Sequence, residues 1–218
     1  MTRQEISDAI TPLGWRLVLG AARASVPVPS LARGADVAVH AVAAAGPDAD
    51  DCLRVDVRPD RVVLTVQSRS TGTVTPAAIV VTHRVAAAVL ALGHTTRPDA
   101  TQVIELGIDA LDIPAIRPFW RAALGYTDEP GRTGPADPLI DPTGQSPAIW
   151  FQQMDAPRPQ RNRIHLDVSV PHDEAWRRIQ ATLAAGGALV YDAEAPAFWV
   201  LADPEGNEAC ICTWEDRD

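Results

Sequence analysis

Nothing in this sequence approaches the roughly 20 consecutive apolar residues that would cross a bilayer, so no membrane span is expected. The opening decapeptide MTRQEISDAI is polar and helix-like. It lacks the charged start, apolar run and small-residue cleavage site of a signal peptide, and a cytoplasmic protein is expected. Cysteines number only three. Two of them, Cys210 and Cys212, stand two apart on one predicted strand face, which is no disulfide framework, so reduced thiols are expected. A surplus of positive charge is missing too: the formal net charge is -9, and the arginines are scattered along the chain rather than gathered into a stripe. That balance repels phosphate backbones and sets nucleic acid aside as a partner.

What is present is ample apolar material, 46% of 218 residues, enough for two domains of roughly 100 residues each or one larger one. The stretch LGHTTRPDAT at 92–101 ends an alanine-rich helical run at Gly93 and fills the gap with polar residues and a proline. It places a domain boundary at about residue 98, giving domains 1–97 and 98–218. A second Gly-, Pro- and Asp-rich stretch, 127–138, reads as a loop inside the latter.

The second half repeats itself. ELGIDALDIPAIRPFWRAALG from Glu105 and HLDVSVPHDEAWRRIQATLAAGG from His165 each read as an alternating strand, an acid- and proline-marked helix start, an amphipathic helix and a glycine. Ile116, Phe119, Trp120 and Ala123 share one helical face in the first, and Trp176, Ile179 and Leu183 do so in the second. Each copy closes with a DPxG turn and a strand, DPTGQSPAIWFQQ and DPEGNEACICTW, because proline presets one turn dihedral and glycine tolerates positive φ. The predicted unit is β-α-β-β-β, twice.

The first half reads as helix, strand, helix, strands, helix. Trp15 and the LVL after it suggest a first strand, 32–45 a helix, and 53–57 and 61–67 strands joined by a Pro59-Asp60 turn. A last helix spans 76–92, with Thr75 as N-cap and Pro76 in the first turn. The chain is therefore of the α+β class.

The duplicated unit, with FWRAALG, RNRIHLDV and VLADPEGNEACIC, resembles the vicinal oxygen chelate superfamily over roughly residues 100–216, most closely its glyoxalase-like group, a relative of glyoxalase I, bleomycin-resistance proteins and extradiol dioxygenases. The resemblance implies paired βαβββ units whose cupped sheet holds a divalent metal (Zn, Fe, Ni or Mn) or an organic ligand. Metal ligands in the family come from the first and last strands of each unit. Carried over, those positions are Glu105, Gln152, His165 and Cys210, the last where metal-dependent relatives carry glutamate. A thiolate biases a site toward zinc or copper and invites oxidation, so Cys210 argues against metal-dependent catalysis. Each residue also has a structural reading: Cys210 as a small buried apolar side chain, His165 as a core histidine, Glu105 as half of a buried pair, Gln152 as a cap on backbone groups. Trp150 and Trp199, with Phe151 and Phe198, are aromatic; by alternation two of the four line the cup and suit a flat ligand.

The order of elements in the first half, with the strand RVVLTVQS and the helix start GTVT, resembles the pterin-4a-carbinolamine dehydratase fold, an α/β sandwich, over most of residues 4–93. That family's paired histidines and proline fall on Asp51, Cys52 and Leu53, and its later histidine on Arg69, so no imidazole is left for its proton transfer. His40 and His83, on alanine-rich helices, do not restore the motif.

Two functions follow from the resemblance to the oxygen chelate superfamily. One is a lyase, isomerase or oxygenase acting on a small carbonyl or aromatic compound, with Glu105 and His165 as metal ligands or as acid and base. The other is a non-catalytic binding or sequestering protein for a small molecule. Both resembled families assemble as dimers or larger units, and a homodimer is expected.

Overall fold

In the computed structural model, residues 1–157, 166–213 and 215–216 are described. The chain divides into two units, Met1–Val103 and Ile104–Asp218.

In the first unit, helix α1 (Arg3–Ile10) starts at a reciprocal cap: the Thr2 hydroxyl accepts from the Glu5 N–H, and the Glu5 carboxylate accepts from the Thr2 N–H. Strands β1 (Arg16–Val18) and β2 (Ala21–Pro27) follow, then helix α2 (Leu31–Ala45), capped by Ser30, and a single turn, α3 (Ala49–Cys52). Strands β3 (Leu53–Val57) and β4 (Arg61–Val66) lead into α4 (Pro76–Ala91), capped by Thr75. The four strands form one antiparallel sheet in the order β1-β2-β4-β3. Val26, Leu64 and Val66 of the sheet and Val37 and Val81 of the helices meet in the core around Trp15, all of them fully buried.

β2 is absent from the sequence-based reading. Its run AARASVP is poor in β-branched and aromatic residues, yet it is bonded on one side to β1 and on the other to β4, so the sheet's context overrides local propensity.

In the second unit the repeat is realised strand for strand. The first copy runs β5 (Glu105–Ala110), α5 (Ile113–Leu124), β6 (Thr127–Asp128), β7 (Leu139–Ile140) and β8 (Ala148–Gln153). The second runs β9 (Asp167–Ser169), α6 (His172–Ala184), β10 (Ala188–Tyr191), β11 (Phe198–Ala202) and β12 (Glu208–Cys212). The sheets have the orders β5-β8-β7-β6 and β9-β12-β11-β10, the same topology twice, with the first and fourth strands parallel in each. The stretch expected as a continuous loop from Thr127 begins instead with β6, whose two residues pair with β7. Helices α5 and α6 pack on each other, and Phe119, Trp120, Ile149, Ile179, Leu201 and Ile211 share one core.

Both DPxG turns are built around their aspartates. Asp141 accepts from the backbone N–H groups of Thr143, Gln145 and Ser146 and from the Thr143 hydroxyl. Asp203, which is buried, accepts from the N–H groups of Glu205 and Asn207, the Asn207 amide and the Trp120 indole N–H. Glu205 of that turn also accepts from the backbone N–H groups of Leu111 and Asp112, ahead of α5. The turn therefore ties the second copy to the first.

Candidate functional site

Strand alternation sorts the side chains of β5 and β8. Ile108, Ala110, Ile149 and Phe151 are buried in the core beneath the helices. The alternate set, Glu105, Gly107, Asp109, Trp150 and Gln152, lies on the opposite face of the sheet. The parallel register sets Gly107 beside Trp150 and Asp109 beside Gln152. Gly107 is required there: a Cβ on it would come within 2.9 Å of the Trp150 ring, so the indole occupies the space a side chain would fill. Trp150 nevertheless keeps 39% of its surface exposed, and Glu105 and Gln152 are also exposed. A large flat ring held against a strand, with a carboxylate and an amide at the next level, forms a platform for a planar ligand. Past the end of β8 the platform borders a cavity of about 400 Å³ lined by Gln152, Gln153, Met154, Asp155 and Ala156.

The second sheet carries the same arrangement with other side chains. A shift of sixty residues carries the core pair Ile108–Phe151 onto Val168–Ile211 and the outer pair Gly107–Trp150 onto Asp167–Cys210. Cys212 then stands where Gln152 stands. The first DPxG loop is two residues longer than the second: Trp150 lies nine residues beyond Asp141, and Cys210 seven beyond Asp203. Counting from the turns therefore hides the equivalence, and Gln152 and Cys210 are not counterparts. Cys210 is buried. Burial, then a hydrogen bond to Asp167 and that carboxylate's charge, push its thiol from the ordinary 9.0 up to about 12. With no ion bound it is a protonated donor at neutral pH. On the same face Tyr191 and Phe198 stack with ring centroids 6.0 Å apart.

The sequence-derived site residues separate accordingly. Glu105, Trp150 and Gln152 share one exposed strand face. Trp199 has the core-facing parity of Leu201 and packs against the core, while its neighbour Phe198 takes the other face. His165 lies outside the described residues. Of the expected metal set, Glu105 is level with Ala148, four residues before Gln152, which puts the two about 13 Å apart along the strands. Ligand atoms of one ion each lie about 2.0–2.3 Å from it, so the two side chains would share an ion only by leaning toward each other along the sheet, and Cys210 stands on the second sheet. Among the described residues no group of three His, Cys, Asp or Glu side chains is placed to hold a metal. Gly107 and Asp109 were missed by the sequence reading, although both follow from Glu105 by alternation.

Residues 105–212 match the family described as a glyoxalase-like domain. The second unit carries a glyoxalase-like domain. Solved structures similar to the chain include a glyoxalase/bleomycin resistance protein/dioxygenase family enzyme from Burkholderia phytofirmans PsJN, at 19% identity over 50% of this chain and 95% of that one, TM-score 0.41. A glyoxalase-related enzyme from Fulvimarina pelagi is 24% identical over 52% of this chain and 86% of that one, TM-score 0.37. The fosfomycin resistance protein FosX from Mesorhizobium loti is 6% identical over 51% and 90%, TM-score 0.39. No curated protein matches the chain. No helix among the described residues is long and apolar enough to cross a membrane.

Proposed function

We propose that the glyoxalase-like domain binds a small planar organic molecule on the exposed face of β5 and β8, without a metal. The observation that carries this reading is the Trp150 indole seated over Gly107 and still partly exposed, with Gln152 and Asp109 one level further along the strands. A ligand stacked on the indole gains apolar contact on one face and hydrogen bonds from the amide at its edge. The distance between Glu105 and Gln152 along the strands speaks against a shared ion. The test is a thermal-shift screen of planar carbonyl and aromatic compounds, followed by titration of the hits. Binding that Trp150→Ala weakens at least about tenfold, equivalent to about 1.4 kcal/mol, and that survives a chelator supports the reading. Binding that needs added metal, or that ignores Trp150→Ala, overturns it.

One observation favours a catalytic reading. Glu105 is an exposed carboxylate on the same face, and in the sequence repeat His165 opens the second copy as Glu105 opens the first. As base and acid, Glu105 and His165 would move a proton beside a carbonyl in a lyase, isomerase or oxygenase. Turnover of a bound carbonyl compound, lost in both Glu105→Gln and His165→Ala, distinguishes this from binding alone.

For the first unit we infer a dehydratase-like sandwich without dehydratase activity. Its element order and the bond from the Arg69 N–H to the Asp51 carbonyl support it, because that bond joins two positions where the resembled family places histidines. A homodimer is the proposed assembly. It is supported by apolar side chains left exposed on α2 and α4, among them Val39, Val42 and Leu90.

A further inference from the structure

Arginines that lie far apart in the sequence are gathered by the first unit's sheet. Arg16 of β1 pairs with Arg23 of β2, Arg23 with Thr65 of β4, and Thr65 with Arg54 of β3. The four residues form one row straight across all four strands. Their strand neighbours Leu17, Ala22, Ala24, Leu64, Val66, Leu53 and Val55 belong to the core, so the row lies on the sheet face turned away from it. Arg69, just past β4, is close enough for its charge to act on Arg54.

These arginines differ from the others of the unit in their partners. Arg33, Arg58, Arg61, Arg84 and Arg97 each face an aspartate. In the row every acceptor is neutral. Arg23 donates to the Thr65 hydroxyl at 3.3 Å and Arg54 to the Gln67 amide oxygen at 3.1 Å. Arg16 donates to the Trp15 carbonyl and Arg69 to the Asp50 carbonyl. The Nε of Arg23 is buried without a hydrogen-bond partner. Burial and the charge of Arg54 lower the Arg23 guanidinium from its ordinary value, and burial and the charge of Arg69 lower that of Arg54. The shifts reflect burial first and mutual repulsion second, while an arginine stays protonated.

Like charges placed side by side on a sheet are destabilising, and an uncompensated, partly buried guanidinium adds to that cost. A chain of net charge -9 had carboxylates to spare for them. Its basic residues are all arginine, the side chain whose planar fork matches an oxyanion with two parallel hydrogen bonds. Arg23 and Arg54 are separated by the one strand that carries Thr65, which puts their Cα atoms about 10 Å apart. Thr65 between them is buried and its hydroxyl accepts from Arg23, so an anion held here would lie across the guanidinium groups.

We propose that Arg23, Arg54 and Arg69 around Thr65 form an anion site that takes the phosphate group of a small phosphorylated molecule. Phosphate fits better than a carboxylate because it offers three terminal oxygens and a second negative charge to three guanidinium groups. The site belongs to the first unit alone and does not depend on the reading of the glyoxalase-like domain.

The test uses the full chain and inorganic phosphate, titrated calorimetrically against chloride at matched ionic strength, with thermal melting in parallel. Saturable one-to-one binding that raises the melting temperature is expected. Arg54→Gln and Arg23→Gln should each weaken binding at least about tenfold, because each removes a charge-assisted donor pair. Without phosphate, Arg54→Gln should melt above the wild type, since the repulsion is relieved. A purely structural arginine would instead leave a less stable protein. Arg54 is exposed, so this variant folds, and Arg54→Lys, which keeps the charge but loses the fork, should fall between the two. Stabilisation by phosphate no greater than by chloride, or binding unchanged in both glutamine variants, overturns the proposal.

Discussion

The two copies of the βαβββ unit share strand order and core, yet the outer side chains of the closing strand are exposed in the first and buried in the second. Trp150 and Gln152 of the first copy correspond to Cys210 and Cys212 of the second, where small thiols are buried. The same divergence reaches the helices. Arg117 of α5 is buried and donates to the Asp128 carboxylate and to the Asp137 and Pro138 carbonyls, whereas Arg177, sixty residues on, is exposed and pairs with Glu174 on its own helix. The core positions needed to stack helix on sheet are kept, and the positions the scaffold leaves free have gone separate ways. The proposed ligand site lies with the first copy, while the second contributes its DPEGN turn as a brace.

The largest expected contrast is at the paired arginines. Arg117→Ala leaves two loop carbonyls without their donor and Asp128 with only the more distant Arg121 among the described residues, and about 3 kcal/mol of stability should be lost in denaturant unfolding, the low end for removing one partner of a buried pair. Arg177→Ala should cost no more than about 0.5 kcal/mol, the scale of an exposed helical pair. Equal losses would mean that the copies are not distinguished by burial. Next come the turn aspartates. Asp203→Ala leaves the Trp120 indole and two backbone N–H groups without an acceptor and should cost about 3 kcal/mol, against about 1 kcal/mol for the more exposed Asp141→Ala.

A third contrast appears only in alkali. The Cys210 thiol is raised in the folded state, so its contribution is fully present below its ordinary value of 9.0 and is lost as pH climbs toward about 12. Stability should fall over that range in the wild type and fall less steeply in Cys210→Ala. Coincident curves would remove the case for a protonated Cys210. A small stability change also belongs to Trp150→Ala, whose ring is partly exposed. It should shift unfolding by less than about 1 kcal/mol while abolishing the stabilisation given by a planar ligand.

Much of this was legible in the sequence. The repeat, the two helices and the DPxG turns were fixed by local chemistry: glycine after each helix, proline and aspartate at each turn, apolar side chains at helical spacing. β2 was hidden because an alanine-rich strand gets its stability from its neighbours rather than from its own residues. The site was half legible. Alternation from Glu105 and through AIWFQQ places Trp150 and Gln152 on one face, but Gln152 and Cys210, both expected as closing-strand ligands, stand at different levels of the two copies, because the register makes Trp150 the counterpart of Cys210. Trp199 was assigned to a ligand because aromatic identity does not reveal strand parity; its neighbours in the core do. The arginine row was invisible, since Arg16, Arg23, Arg54 and Thr65 meet only through sheet pairing.

The measurement that bears most directly on the central claim is bound metal, by mass spectrometry, after the untagged protein is equilibrated with zinc, nickel, manganese and iron(II) and then desalted. The wild type, Glu105→Gln, Gln152→Ala, His165→Ala and Cys210→Ala should be compared. A metal-independent platform predicts far less than one equivalent of any metal, with no difference among the five. Close to one equivalent in the wild type, lost on changing Glu105 and His165, would contradict it and return the exposed face of β5 and β8 to metal chemistry.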